Sequence, residues 1–144
     1  MITITGFPER EKAERMKSNR GIPIMMTPTQ VAEKVVQALD SKKAVDIQVL
    51  HTGKITSIAD YFVICTANSM TQLKALSEEV DRVLSEADEP PLRREGYRTS
   101  GWTLLDFGCV VVHLFLDEMR KFYNLEHLWG DAEKIDISSL LGPQ

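Results

Sequence analysis

Apolar side chains recur at helical spacing directly after Thr27. Threonine is a common N-cap and proline suits the first helical position, so Thr27 and Pro28 mark a helix start. The pattern predicts a helix from there to about Lys42. Two strands are predicted next, at 45–50 and 60–66, and the second is apolar enough to lie at the centre of a sheet.

The rest of the chain predicts several further elements. They are a hairpin connection at 51–54, a helix capped by Asn68 and Ser69 that ends before Pro90, strands at 102–107 and 109–116 that meet in a tight hairpin, a short helix capped by Asp117, and a helical turn at 125–129. The order α-β-β-α-β-β-α predicts an α/β fold of α+β character, a mixed sheet of about four or five strands with packed helices. The unit from Asp60 to Phe107 is a right-handed crossover if its two strands are parallel.

Three segments are predicted: an N-terminal extension at 1–26, a domain at 27–131 and a loose C-terminal tail at 132–144. Residues 9–20 alternate charges with few apolar side chains, which favours disorder over a short helix after Pro8. Met25 and Met26 stand directly before the first predicted helix, so we expect the residues before them to be an upstream addition to the fold.

The composition is typical of a globular protein of one domain, with 144 residues of which 43% are hydrophobic and 26% charged. No apolar run approaches the roughly 20 residues of a membrane span, and no secretory signal is recognisable, so we expect the cytoplasm as location. Cys65 and Cys109 lie in apolar strand-like runs and are predicted to be free thiols in a reducing compartment.

Charge is distributed unevenly along the chain. Residues 1–28 carry five basic and three acidic side chains, a net charge of +2, so the remaining residues carry −6 of the total of −4. An acidic body is a poor match for nucleic acid, which is bound mainly through Lys and Arg. It is a better match for a basic protein partner.

Seven of the ten aromatic residues stand between 97 and 129, interleaved with charged side chains. They are Tyr97, Trp102, Phe107, Phe115, Phe122, Tyr123 and Trp129. Strand alternation puts Trp102, Leu104 and Asp106 on one face, with the intervening residues and Phe107 on the other. A tryptophan beside an acidic side chain is a reasonable anchor for a Lys/Arg-rich surface. The alternative, that Trp102 and Trp129 only cover the core, explains the pattern equally well.

Evidence for enzyme chemistry is weak. The histidines and cysteines lack zinc-ligand spacing, so no metal or cofactor is expected. Ser69 could present backbone amides to a phosphate, but no Asp-x-Asp pair is present to hold the metal of a nucleotidyl transfer, and a simple N-cap is favoured. His113 is favoured as a packed residue, with a contact role open. Besides a protein that binds a basic partner, two alternatives remain: a nucleotidyltransferase-like nucleotide-binding enzyme and a dimeric interaction adaptor.

Motifs spread over residues 28–131 share their order and spacing with one known family. They are Ala44-Val45-Asp46-Ile47, the run from Ser57 to Ile64, Ser69 with Gln72, Glu95-Gly96, Trp102, Leu105-Asp106, Gly108, the run from Val110 to His113, Arg120, Tyr123, Leu125-Glu126 and Leu128-Trp129. In these motifs the chain resembles the ribosomal silencing factors (RsfS, or Iojap). The resemblance implies a nucleotidyltransferase-like fold that lacks the catalytic carboxylates, and hence a protein that is not an enzyme.

The resemblance also implies a function. Such proteins bind a basic protein of the large ribosomal subunit, L-fourteen, and block joining of the small subunit, which represses translation when nutrients are short. Homodimers are common among them, and neither direct nucleic-acid binding nor a membrane is implied. Carried over residue by residue, the partner-binding positions are Trp102, Leu104, Asp106, His113, Arg120, Tyr123 and Glu126, with Trp102 and Asp106 foremost.

Two features depart from the family pattern. Cys109 stands where the family usually has aspartate after Gly108, which predicts the loss of an acidic contact or of a turn cap. Residues 1–26 have no counterpart in the pattern.

Overall fold

The computed structural model describes residues 3–5, 26–96 and 101–142. Its helices are α1 (Pro28–Ser41), α2 (Met70–Glu86), α3 (Asp117–Tyr123) and α4 (Leu125–Leu128), and a single 3-10 turn spans Ser138–Leu140. Its strands are β1 (Thr3–Thr5), β2 (Val45–His51), β3 (Tyr61–Ala67), β4 (Arg93–Glu95), β5 (Trp102–Asp106), β6 (Val110–Leu116) and β7 (Glu133–Asp136). None of the helices in those ranges combines the length and apolarity that crossing a membrane requires.

The strands of the described ranges form one seven-stranded sheet in the order β1-β7-β2-β3-β6-β5-β4. β3 runs parallel to β6 and β1 parallel to β7, while the other neighbours are antiparallel. The predicted mixed sheet with packed helices is therefore confirmed. The strand count exceeds the expected four or five because β1, β4 and β7 have only three, three and four residues, too few for a readable alternation.

The first two helices begin where the sequence predicts. The Thr27 hydroxyl accepts the backbone N–H of Gln30, and the Gln30 side chain accepts the backbone N–H of Thr27, which together form a capping box. Ser69 is the N-cap of α2, and its hydroxyl accepts the backbone N–H of Gln72 at 3.1 Å. The prediction for α3 is wrong in detail: its N-cap is Leu116, and Asp117 is the first helical residue, where its charge complements the helix dipole.

Helices α1 and α2 pack on one side of the sheet, which we call the helix-covered face. The core on this side joins aliphatic residues of both helices to inward-facing strand residues, among them Val49, Val63, Cys65, Leu105, Val112 and Leu114. β3 is buried at all seven positions, as expected for a central strand.

The opposite side of the sheet, which we call the aromatic face, is covered by the short helices α3 and α4. Its buried core is smaller and consists of Leu50, Ala59, Phe62, Ile64, Val111, Phe115, Leu125 and Ala132. Half-buried Trp102, Leu104, Met119 and Trp129 pack around it. Large aromatic side chains thus replace a third long helix as the cover of this face.

The structure corrects the prediction of a loose C-terminal tail. Residues 133–136 form β7, which pairs antiparallel with β2. Ile135 and Ile137 are buried in the core of the helix-covered face. Because Ile135 is the single apolar residue of this four-residue strand, the sequence pattern was too brief to indicate it.

Two connections also differ from expectation. The β2–β3 hairpin is closed by residues 52–60, a longer loop than 51–54. The parallel partner of β3 is β6, and β5 is antiparallel to β6, so the condition for a crossover within 60–107 is not met.

The N-terminal extension is described only in part. Thr3–Thr5 pair with β7, whereas residues 9–20, for which disorder is favoured over a short helix, lie outside the described residues. The same is true of Tyr97 in the aromatic segment.

Candidate partner-binding site

β5 presents the predicted alternation to the two faces of the sheet. Trp102, Leu104 and Asp106 are half-buried, whereas the two residues between them are buried. Trp102 and Leu104 pack on the aromatic face, while Leu105 belongs to the core under the helices. The separation of the predicted contact residues from the core residues of this strand is therefore confirmed.

Trp102 is the centre of a group of rings on the aromatic face. Its ring centroid lies 5.3 Å from that of Phe115, its cross-strand partner on β6, and 4.4 Å from that of Tyr123 on α3. Tyr123 is 40% exposed and extends the group to the surface. Offset aromatic contacts of this kind stabilise the arrangement beyond their buried area.

His113 lies beneath this group and is 5% exposed. The indole Nε1–H of Trp102 donates a hydrogen bond to His113 Nδ1 at 3.2 Å. Burial lowers the pKa of His113 to about 4, so the ring is neutral at physiological pH. The favoured reading of His113 as a packed residue agrees with this burial, and a direct contact with a partner stays a prediction.

Asp106 has structural partners of its own. Its Oδ1 accepts the backbone N–H of Gly108 at 2.8 Å, and its Oδ2 lies 3.4 Å from Nη2 of Arg93. Gly108 has φ +83°, a conformation that glycine adopts without strain. Asp106 therefore caps the β5–β6 turn, so the turn does not depend on an acidic side chain at Cys109.

Arg120 is the most deeply buried charged residue among the predicted contacts, with 6% exposure. Its Nη1 donates to the backbone oxygen of Asp46 at 2.8 Å and to the hydroxyl of Thr66 at 2.9 Å. Its Nε donates to Glu126 Oε2 at 3.2 Å, and Nη2 lies 3.3 Å from Asp46 Oδ2. Arg120 therefore ties α3 to β2, β3 and α4 from within the domain.

The structure divides the seven predicted site residues into two groups and one separate residue. Trp102, Leu104, His113 and Tyr123 share the aromatic face, and Arg120 with Glu126 forms the ion-pair network at the carboxyl end of β3. Asp106 lies at the far end of β5, at the turn. Whether each contacts a partner stays a prediction.

Two further exposed residues were not chosen from the sequence. Phe122 is 76% exposed and its ring meets that of Tyr123 edge to face at 5.1 Å, while Leu128 on α4 is 69% exposed. Phe122 and Tyr123 are adjacent on a seven-residue helix and cannot both face the core. This adjacency is the feature of the sequence that could have indicated an exposed aromatic residue. Phe122 thus adds solvent-exposed apolar surface beside the packed aromatic group, which is typical of a contact surface.

The alternative chemistry gains no geometric support. The Ser69 hydroxyl serves as the cap of α2, and the neighbouring Gln72 amide donates to the backbone oxygens of Lys42 and Lys43. Among the residues with described positions, no three His, Cys, Asp or Glu side chains are grouped to hold a metal ion. The two cysteines are free thiols, and burial raises the pKa of Cys65 to about 12, which makes it a poor nucleophile.

Comparisons with known proteins agree with the motifs. A family model described as ribosomal silencing factor during starvation matches residues 25–144. The chain is 39% identical over 116 residues to the ribosomal silencing factor RsfS of Halalkalibacterium halodurans, a match that covers 81% of this chain and 99% of the relative. It is 42% identical over 100 residues to RsfS of Bacillus subtilis, covering 69% and 85% of the two chains.

A solved structure shares the fold. The crystal structure of a protein from Chromobacterium violaceum superposes with a TM-score of 0.71 and 36% identity, covering 73% of this chain and 88% of that one. The family match includes β7, which agrees with the pairing of this strand in the sheet. Sequence and structure together show that this chain belongs to the ribosomal silencing factor family, RsfS.

Proposed function

We propose that the protein represses translation by binding the large ribosomal subunit and blocking attachment of the small subunit. The partner in this proposal is the basic ribosomal protein L-fourteen, and the effect is steric, without catalytic turnover. The observation that carries the proposal is membership of the ribosomal silencing factor family over residues 25–144. The site of action in the proposal is the cytoplasm.

The surface on the aromatic face supports a protein partner. Trp102 and Tyr123 offer a packed aromatic group at the surface, and Phe122, whose ring meets that of Tyr123, extends it with exposed apolar area. Leu128 on α4 is exposed as well. Aromatic anchors surrounded by polar side chains are typical of protein interfaces. We call Trp102, Leu104, Phe122, Tyr123 and Leu128 the docking surface.

Charge supports a basic partner. The whole chain has a net charge of −4 and residues 1–28 carry +2, so residues 29–144 carry −6. Asp106 and Glu126 belong to this acidic excess and stay half-buried, each with an arginine neighbour inside the chain. We infer that they act mainly through the potential at the surface, which raises the rate of association with a basic protein and weakens as salt rises.

The internal position of Arg120 refines the proposed site. Because its guanidinium is held by hydrogen bonds and ion pairs to neighbours within the domain, we propose that Arg120 supports the docking surface from below by fixing α3. Trp102, Leu104 and Tyr123 remain the proposed direct contacts.

Co-sedimentation with purified large subunits tests the proposal. We expect wild-type protein to sediment with large subunits and to lower the yield of joined ribosomes when small subunits are added. Trp102→Ala should weaken binding by about 30-fold, because a central tryptophan contributes roughly 2 kcal/mol or more. Ile58→Ser is the matched control, since Ile58 is 64% exposed in the β2–β3 loop, at the opposite end of β3 from α3.

The outcome is decisive in both directions. If Trp102→Ala keeps its thermal unfolding profile yet binds like wild type, the docking surface is assigned to the wrong residues. If wild-type protein binds large subunits without lowering subunit joining, the steric mechanism is wrong even though the ribosomal location is right.

We also propose that the protein forms a homodimer when it is not bound to a ribosome. The exposed apolar area of Phe122 and Leu128 supports a reversible contact between copies. Sedimentation equilibrium should give a dimer that Phe122→Ser converts to a monomer. A wild-type monomer at tens of micromolar concentration would remove this part of the proposal.

A further inference from the structure

The hydrogen bond between Trp102 and His113 occupies the only polar atom of the proposed anchor. Indole has a single N–H donor and no acceptor, and in this structure the donor points to His113 Nδ1 at 3.2 Å. A partner at Trp102 therefore meets carbon atoms of the ring. That contact suits apolar side chains and the cationic side chains of a basic protein.

Strand register explains how the bond forms. Trp102 is the cross-strand partner of Phe115, and His113 is the partner of Leu104, so His113 is the diagonal neighbour of Trp102 on the same face. Diagonal neighbours on a sheet are within reach of long aromatic side chains. The indole consequently leans along β6 over His113, with ring centroids 5.9 Å apart.

Packing alone does not explain a histidine at this position. With Nδ1 accepting from the indole, the proton of the neutral ring is on Nε2, which is buried and has no hydrogen-bond partner among the described residues. A buried donor without an acceptor lowers stability, so an aliphatic side chain would pack here at lower cost. What histidine adds is the acceptor for Trp102.

We propose that His113 is a positioning residue, which holds the Trp102 indole in the orientation that the partner recognises and does not itself contact the partner. This inference rests on the proposed docking surface and specifies the chemistry at its centre. Phe62 supports the geometry from the other side, because its ring meets the imidazole edge to face at 5.0 Å. Burial keeps the imidazole neutral, so it accepts from the indole throughout the physiological pH range.

Solvent exchange of the indole proton tests the bond on the isolated protein. The experiment uses the Trp129→Phe background, in which Trp102 gives the one indole signal. In that background the Trp102 Nε1–H should exchange at least about tenfold more slowly with His113 than with His113→Leu, because the hydrogen bond must open before the proton exchanges. His113→Asn should restore slow exchange, since its amide oxygen can take the place of Nδ1. Equal exchange rates with histidine and leucine would overturn the inference.

A double-mutant cycle on large-subunit binding separates positioning from contact. His113→Leu should weaken binding about three- to tenfold in wild-type protein, and by less than about twofold in Trp102→Phe, which has no indole N–H. Ile64→Val, at the cross-strand partner of His113 on β3, controls for loss of core packing and should bind like wild type. Equal losses in both backgrounds would mean that His113 contacts the partner directly, and would overturn the inference.

The two experiments distinguish a failure of the proposed function from a failure of the positioning role of His113. If wild-type protein fails to bind large subunits, the proposed function is wrong and the exchange rates alone decide whether His113 holds Trp102. If wild-type protein binds and His113→Asn binds as poorly as His113→Leu despite slow exchange, the proposed function stands and the positioning role is wrong.

Discussion

The two faces of the sheet use the same strands for different tasks. On the helix-covered face, Leu105, Val112 and Val63 are fully buried and aliphatic, under two helices of 14 and 17 residues. On the aromatic face, Trp102 and Leu104 are half-buried and the covering helices have seven and four residues. An incompletely covered face therefore leaves apolar side chains at the surface, whereas the larger buried core lies on the other side of the sheet.

Neighbouring leucines on β5 provide the largest expected contrast. Leu105→Ala should lower the free energy of unfolding by about 3–4 kcal/mol, because it leaves a cavity in the core of the helix-covered face. Leu104→Ala should cost less stability, about 1–2 kcal/mol, since its side chain is only half-buried. Urea unfolding followed by circular dichroism measures both. Large-subunit binding by still-folded protein should fall with Leu104→Ala and not with Leu105→Ala, and the reverse order would break the comparison of the faces.

Arg120 tests whether a predicted contact residue acts from inside the domain. Arg120→Ala should destabilise the protein by about 3 kcal/mol, because it leaves Glu126 half-buried without its cation and frees the Asp46 carbonyl. Urea unfolding is the measurement, with Lys121→Ala as the control next to it, whose side chain is 77% exposed. A variant that keeps wild-type stability but loses large-subunit binding would make Arg120 a direct contact.

The pH dependence of stability tests the burial of the His113 imidazole on the aromatic face. Burial lowers the pKa of His113 from 6.5 to about 4, so the unfolded chain binds a proton more readily than the native protein. The resulting stability is fully present above pH 6.5 and is lost as pH falls toward 4. Between pH 7 and pH 5 the free energy of unfolding should decrease by about 2 kcal/mol from this group. His113→Leu should remove that decrease; an unchanged slope would show that His113 is not the titrating group.

The smallest expected effect on stability is that of Phe122, at the exposed edge of the aromatic face. Phe122→Ser should change the free energy of unfolding by less than about 0.5 kcal/mol, since Phe122 is 76% exposed. It should nevertheless reduce large-subunit binding several-fold, while Ile58→Ser in the distant loop should not. Equal binding by both variants would remove Phe122 from the docking surface.

Much of the fold follows from local patterns. The N-caps at Thr27 and Ser69 and the central position of the buried strand β3 are predicted because each depends on residues within one element. β7 could not be predicted, because its place in the sheet depends on pairing with β2. In that pairing Lys134 lies opposite Leu50, more than 80 positions earlier in the chain. The order of strands in the sheet is likewise a property of distant contacts.

Part of the candidate site could also be predicted from the sequence. Period-two alternation is enough to put Trp102 and Leu104 opposite Leu105. It does not reveal that Arg120 turns inward to the Asp46 carbonyl, because that bond joins residues 74 positions apart. The exposure of Phe122 also depends on how α3 docks, which no local pattern determines.

The parallel pairing at the centre of the sheet has a consequence for the order of folding. The antiparallel hairpins join near neighbours, Leu50 with Phe62 and Leu105 with Val112, whereas β3 and β6 join Tyr61 with Val110. Closing the longer loop costs more chain entropy before any contact repays it. We therefore expect the two hairpins to form early and the β3–β6 contact to limit the folding rate. φ-values near zero at Val63 and Val112, which pair across that contact, would contradict this order.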